Sequence, residues 1–455
     1  VTTANSASTS LTDPSIPSKL NGNNALGIAS SFSQTRSFAA MFSLNYALKD
    51  RYIFGTTVRS EGNSKFGANY RYGVFPSISG RWRLSSEEFM GNWEFLDDLS
   101  LRASYGVNGN AVSGNYLSYS MYNTYAYQYM GMTGVSASNM ELQNLRWEKV
   151  HQYNGGFKFA AFKNRINIDF DIYRKRTEDL YFKNVTIPSS SGYDKIAMNV
   201  GTMDNQGWEL SVLTTPVKTK KWTMEMNMNV ARSVNIIRDL SPYIAMESGV
   251  TTSNGNYLSV INIGQPLGSF YGYRYAGVYL NEDETIARDA NGNKIYDVDG
   301  NPVYMRFGYP TIDYQFEPGD AKYEDINHDG NINYLDIVYL GDANPLFTGG
   351  FGPTIRYNRQ WTLSAYFYFR VGNEVVNKTK MDMESMYNMN NQSTSVLRRW
   401  RHSYDNPEEA PADLLPRALF GYGYNWLGSD RYVEDGSFLR WKSLTLSYNF
   451  NKEKL

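Results

Sequence analysis

The sequence predicts an all-β protein whose antiparallel strands cross a membrane as part of a β-barrel. Three observations carry this. Apolar and polar residues alternate strictly in blocks of about ten. The connections between blocks are alternately short and long. The 455 residues include 37 Tyr, 23 Phe and 9 Trp, yet no run approaches the ~18 uncharged apolar residues that a membrane helix needs. A mean hydropathy of −0.50 suits strands that turn half their residues to a polar lumen.

Residues 1–35 are rich in Ser, Thr, Asn and Gly without either hydrophobic period, and read as a loop or flexible lead-in. The barrel portion is expected over 36–455. Leu99, Leu101, Ala103 and Tyr105 alternate with Ser100, Arg102 and Ser104, and Ile166, Ile168, Phe170 and Ile172 with Asn167, Asp169 and Asp171. Trp222 through Val230, Trp361 through Arg370 and Leu444 through Phe450 repeat the pattern. Ile168, Phe170, Met226, Met228, Phe367 and Leu446 are therefore expected to face lipid, and Asp169, Asn227, Tyr368 and Ser447 the lumen. Lumen-side Arg102, Asp169, Asp171, Glu225 and Arg370 would solvate the channel wall or pair with a plug.

Short turns are expected at Lys49–Arg51, Lys163–Arg165, Pro216–Lys221 and Asn358–Gln360, and long connections over 61–72, 108–147, 176–202, 235–346 and 374–436. If the strand from Trp222 runs outward and the strand from Phe347 inward, everything in 235–346 is an extracellular insertion. Within it Asn291-Gly292 and Asp299-Gly300 suit type I′ hairpin turns. One short loop helix is expected, inside Met381 to Trp400. About eleven strands result. A single-chain bacterial barrel has an even number, so further strands are expected after Leu455 and before Val1.

Composition narrows the chemistry. Forty-four basic against 45 acidic residues give a net charge of −1, which removes the electrostatic basis for nucleic-acid binding. There is no Cys and only three His, which leaves no disulfides, thiolate nucleophiles or Cys-ligated metal. The adjacent carboxylates Asp97/Asp98 and Glu408/Glu409 are not in settings that would split their pKa values for acid–base work. No enzymatic activity is expected.

The most chemical motif runs from Asp325 to Asp336. It places oxygen side chains at loop positions 1, 3, 5, 9 and 12 (Asp325, Asn327, Asp329, Asn333, Asp336), glycine at 6 (Gly330), and the backbone carbonyl of Asn331 at 7. This pattern predicts a structural calcium site, the alternative being an Asn/Asp/Gly turn ordered by its own hydrogen bonds. Aromatic residues on the outer connections, Tyr122, Tyr125 and Tyr127 in one and Tyr422, Tyr424 and Trp426 in another, are candidates for substrate or partner contact. Such rings also form interfacial girdles or pack loops.

Several segments resemble the C-terminal barrel half of SusC/RagA-type TonB-dependent outer-membrane transporters. They are Lys49 to Tyr52, Arg59 to Phe66, Gly73 to Arg83, Leu99 to Asn110, Asn199 to Leu210, Gly319 to Gly341 and Ser437 to Arg440, in order across most of 38–450. The resemblance implies a 22-stranded outer-membrane barrel and a SusD-like surface lipoprotein that helps capture oligosaccharides or peptides. It also implies contact with TonB through a plug region, which nothing in this chain matches. Two other readings use the same features: a TonB-dependent iron-chelate or cobalamin receptor, and a calcium-stabilised β-rich surface binding protein.

Overall fold

The computed structural model describes residues 2–5, 27–30, 33–130, 132–193, 195–240, 253–258, 261–401 and 414–450. Eleven strands form one sheet in which sequence neighbours are also spatial neighbours and every pair is antiparallel. They are β1 (Ser37–Leu48), β2 (Tyr52–Asn63), β3 (Tyr72–Arg83), β4 (Leu96–Asn110), β5 (Glu148–Ala161), β6 (Ile166–Glu178), β7 (Thr202–Lys218), β8 (Trp222–Asp239), β9 (Phe347–Tyr357), β10 (Trp361–Val371) and β11 (Phe438–Tyr448). β1 and β11 are the sheet's two edges. Among the described residues no helix is long and apolar enough to cross a membrane.

The register separates two chemistries. Ile168, Val212, Met228, Phe351, Phe367 and Trp441 are successive cross-strand partners from β6 to β11 and form one apolar row. One residue along, on the opposite face, Lys158, Asp169, Ser211, Asn229, Gly350, Tyr368 and Arg440 form a polar row. The residues expected on the lipid and lumen sides fall on these two faces, because a pleated strand alternates at every step. Apolar side chains such as Phe42, Ile78, Leu439 and Leu446 stand exposed on the first face, the condition of a surface solvated by lipid. At the end with short turns the ring pairs Trp222–Tyr357 and Trp361–Tyr448 sit 4.5 and 4.6 Å apart, where an interfacial girdle belongs.

The short turns use left-handed backbone. Lys49 and Asp50 between β1 and β2, and Asn358 and Arg359 between β9 and β10, all have positive φ, the central residues of type I′ turns closed by Arg51 N–H on the Leu48 carbonyl and Gln360 N–H on that of Tyr357. The Asn291-Gly292 and Asp299-Gly300 turns are of a different kind. Gly292 N–H and Gly300 N–H donate to the carbonyls of Asp289 and Asp297, and only the glycines take positive φ. Each is thus a type I turn followed by a left-handed glycine. Asp289 and Asp297 decide this, because each carboxylate accepts two backbone N–H groups of its own turn.

The lead-in contains structure that its composition did not announce: Thr2–Asn5 pairs antiparallel with Gly27–Ser30. Backbone ladders need no hydrophobic period. The helix in the last long connection, α1, spans Lys378–Glu384 rather than the 381–400 stretch, with Asn377 Oδ1 accepting from Lys380 N–H at its start. It stops before Met386, whose φ is 50°, and helical geometry returns as short 3₁₀ turns at Thr394–Arg398 and Asp430–Tyr432.

Opposite the short turns, the β8–β9 and β10–β11 connections fold into one body. Its core joins Tyr273, Tyr279, Phe307, Phe316, Tyr323 and Ile332 of the first with Leu427 of the second, all at most 2% exposed. Cross-connection bonds tie it: Ala321 N–H to Asn425 Oδ1 (2.8 Å), Leu427 N–H to Tyr323 Oη (3.0 Å), and Arg417 Nε to Asp320 Oδ1 (2.7 Å).

Candidate functional site

Two surfaces can meet a ligand: the polar face of the sheet and the body beyond its end. On the polar face, charges are paired along the wall. Arg102 of β4 bonds both Asp169 and Asp171 of β6, reaching past β5. The register makes this possible, since Arg102, Gly156 and Asp171 are direct cross-strand partners. Arg356 Nη1 lies 2.6 Å from Glu225 Oε1, and Asp98 is shared by Arg81 and Lys158. These wall charges are therefore partnered within the sheet, apart from Arg370, which has no ion pair among the described residues.

In the outer body, Asp325 to Asp336 forms a tight loop around Gly330, whose φ is 81°. Asp325 Oδ2 accepts from Gly330 N–H (2.8 Å), Asp329 Oδ1 from Asn331 N–H (2.8 Å), and Asn327 Oδ1 from Asp329 N–H (3.2 Å). Asp336 is fully buried; its two oxygens accept from Ile326 N–H and Asn333 N–H, both at 2.8 Å. Burial pushes its carboxyl above the usual range, and the charges of Asp325 and Asp329 push the same way. Asn333 Oδ1 caps the 3₁₀ turn that follows, accepting from Leu335 N–H. The Asn331 side chain turns away, exchanging two bonds with the backbone of Tyr309. His328 is exposed. Among the described residues, no three His, Cys, Asp or Glu side chains stand together as a metal cluster. The loop carries three carboxylates, Asp325, Asp329 and Asp336, with most of its side-chain oxygens engaged by its own N–H groups.

The six candidate aromatic residues do not form one platform. Tyr122 and Tyr422 are exposed. Tyr125 and Tyr127 lie on the strand Met121–Tyr129, with side chains outside the described residues. Tyr424 is half-buried and packs against the core, its ring 4.2 Å from Phe307 and 5.1 Å from Tyr314. Trp426 packs on Tyr387 (5.7 Å) and covers Gly255. Glu408/Glu409 lie outside the described residues.

One feature of the body escapes sequence reading. A cavity of about 400 Å³ opens between the two connections, lined by Glu282, Tyr304, Phe316, Glu317, Trp400 and Arg417. Trp400 Nε1 is buried without a hydrogen-bond partner. Its walls come from segments about a hundred residues apart, so no local pattern announces it.

The model of the TonB-dependent receptor-like β-barrel family matches residues 3–374. The chain belongs to this family. TonB-dependent receptors of this kind are outer-membrane β-barrels, which accounts for the exposed apolar face. The TonB-dependent receptor P39 of Formosa agariphila is 30% identical over 433 residues, 90% of this chain and 40% of the relative. The TonB-dependent receptor SusC of Bacteroides thetaiotaomicron is 28% identical over 421 residues, 90% of this chain and 37% of the relative. Among solved structures, the RagAB peptide importer in its closed-closed state superposes with a TM-score of 0.70 at 25% identity, over 95% of this chain and 43% of that one. The chain thus spans roughly two fifths of the length of the TonB-dependent receptors it matches.

Proposed function

We propose that the protein to which this barrel segment belongs imports oligosaccharides or peptides across the outer membrane, driven through TonB, with a SusD-like surface lipoprotein seated on the outer body. The observation that carries this reading is that body. Two connections separated in sequence by the β9–β10 hairpin share one buried core and are clamped by Arg417, so they present a fixed surface rather than independent loops. The body exposes Phe420 and Tyr422, 63% and 59% accessible, on a segment held by Tyr387. Exposed aromatic side chains of this kind anchor protein interfaces. Similarity to SusC and to the RagAB peptide importer supports the assignment.

In this reading Asp325 to Asp336 takes a structural calcium ion that relieves the repulsion converging on buried Asp336. Asp325, Asn327, Asp329, Asn333 and Asp336 would supply side-chain oxygens, and Asn331 its carbonyl. Chelation, or Asp325→Ala with Asp329→Ala, should lower hydrogen-exchange protection of the loop and leave the sheet's protection unchanged. Unchanged loop protection in both would leave an Asx-type turn.

The function is tested with the full-length gene in its own host. Deletion should abolish TonB-dependent uptake of either a labelled oligosaccharide pool or a labelled peptide pool. Phe420→Ala with Tyr422→Ala should reduce co-purification of a surface lipoprotein severalfold. Uptake of both pools at wild-type rates after deletion would overturn the reading.

A further inference from the structure

The apolar face changes character toward the long-connection end. In one row Ile172, Trp208 and Arg232 are direct partners across β6, β7 and β8. The next row holds Tyr153, Arg174, Gln206 and Val234, and the one after it His151, Arg176, Asp204 and Ile236. Arg238, beside a bulge in the β7–β8 ladder, reaches the same place. Asp204 is completely buried beneath three guanidiniums, with Arg174 Nη2 at 2.7 Å, Arg176 Nε at 2.8 Å and Arg238 Nε at 2.9 Å. One carboxylate thus serves three arginines whose side chains remain 39–46% exposed. Arg232 has no ion-pair partner among the described residues and lies over the Phe347 ring, 5.9 Å from its centroid. Farther out Glu178 faces Lys149 across the ladder and stands 3.7 Å from His151 Nε2; Asp204 and Glu178 are thus two carboxylates against Arg174, Arg176, Arg232, Arg238 and Lys149, and positive charge stays in excess.

Height places this patch in the membrane. Arg232 is ten residues along β8 from Trp222, the girdle residue at the short-turn end. That is roughly 33 Å along the strand and about 25 Å along the normal at a tilt of ~40°, the height of a lipid-facing band. The rows of Arg232, Arg174 and Arg176 therefore lie at headgroup level. Directly beside them is a hollow of about 760 Å³ whose lining includes Tyr153, Gly155, Ile172, Arg174, Trp208 and Arg232. Gly155 keeps its floor open, since a Cβ there would meet nothing closer than Ile172 Cγ2 at 4.0 Å.

We propose that this patch binds a phosphorylated glycolipid of the outer leaflet. Phosphate groups sit on Arg174 and Arg232 and on the free edges of Arg176 and Arg238, and an acyl chain lies in the hollow against Trp208 and Ile172. A guanidinium at a lipid-facing position needs a counter-charge, and its planar fork matches phosphate oxygens. Asp204 sets the array: it fixes three guanidiniums while neutralising only one charge. β5 to β8 lie mid-sheet with neighbours on both sides, so no sheet edge is involved. The proposal rests on the outer-membrane placement and not on the identity of the transported substrate.

The test uses the full-length protein extracted from outer membranes in mild detergent. The probes are diphosphoryl lipid A, its dephosphorylated form and inorganic phosphate, read by native mass spectrometry and equilibrium binding. Diphosphoryl lipid A should bind, and Arg174→Gln with Arg232→Gln should weaken it about thirtyfold. Arg176 and Arg238 stay on Asp204 in that variant, so the buried carboxylate keeps its partners. Arg370→Gln, which removes one arginine from the opposite face, should leave binding unchanged. Equal binding by wild type and the double variant, or by the dephosphorylated lipid, would overturn the proposal. Inorganic phosphate binding as tightly as diphosphoryl lipid A would overturn the lipid assignment in favour of a free-phosphate site.

Discussion

At Gly156 the luminal ion pair depends on the absence of a side chain. A Cβ there would press into the Asp171 carboxylate and the Phe170 carbonyl. Its neighbour Gly155 faces open space on the other side of the sheet. Gly156→Ala should therefore cost about 1–3 kcal/mol, as overpacking does, while Gly155→Ala should be close to neutral. Denaturant unfolding of the full-length protein in detergent checks the pair; equal effects would show that the Arg102–Asp171 contact does not constrain β5. On the lipid side, Met226→Arg near mid-membrane should cost about 2–4 kcal/mol. These residue roles are unequally legible. Arg102 and Asp171 are visibly lumen-side from alternation alone, whereas nothing local shows that a glycine lets them meet. Tyr422 and Tyr424 look alike in sequence, and only a core assembled from 273–332 hides the second. Arg174, Arg176 and Arg238 likewise acquire meaning from Asp204 on the adjacent strand.

Single elements are most legible in sequence where their physics is local. Strands of about ten residues with strict alternation can adopt only one pattern of faces, and the two-residue turns at Lys49-Asp50 and Asn358-Arg359 follow from strand proximity. Where two local geometries share a sequence, the distinction fails: Asn-Gly serves a type I′ turn or the end of a type I turn, and the preceding Asp289 and Asp297 tip the balance. The 381–400 stretch holds no continuous helix because α1 ends at Glu384, Met386 takes positive φ, and only the 3₁₀ turn Thr394–Arg398 follows within it. The two Asp turns also carry a pH prediction. Backbone N–H groups, of Asn293 for Asp289 and of Asn301 for Asp297, hold these carboxyls below the usual carboxylate range. A depressed folded-state pKa means that the stabilisation is complete above the unfolded value near 3.8 and is lost as pH falls through the folded one. Amide protection of Asn291, Asn293 and Asn301 should therefore persist down to about pH 4 and fall below it. Protection insensitive to acid would show that the turns stand without those carboxylates.

Across the whole molecule, parity of the strands puts both long connections that build the outer body at one end of the sheet. An epitope inserted at Asn291-Gly292 should be detected on intact cells, and detection only after permeabilisation would reverse the topology. The central claim is that two chemically distinct faces, one residue apart in register, separate lipid from lumen. Because the chain contains no Cys, single cysteines can be scanned with a membrane-impermeant thiol reagent in full-length protein in its native outer membrane. Asp169→Cys and Asn227→Cys should label through the lumen while Ile168→Cys and Met226→Cys stay protected; equal labelling of the two sets would contradict the barrel.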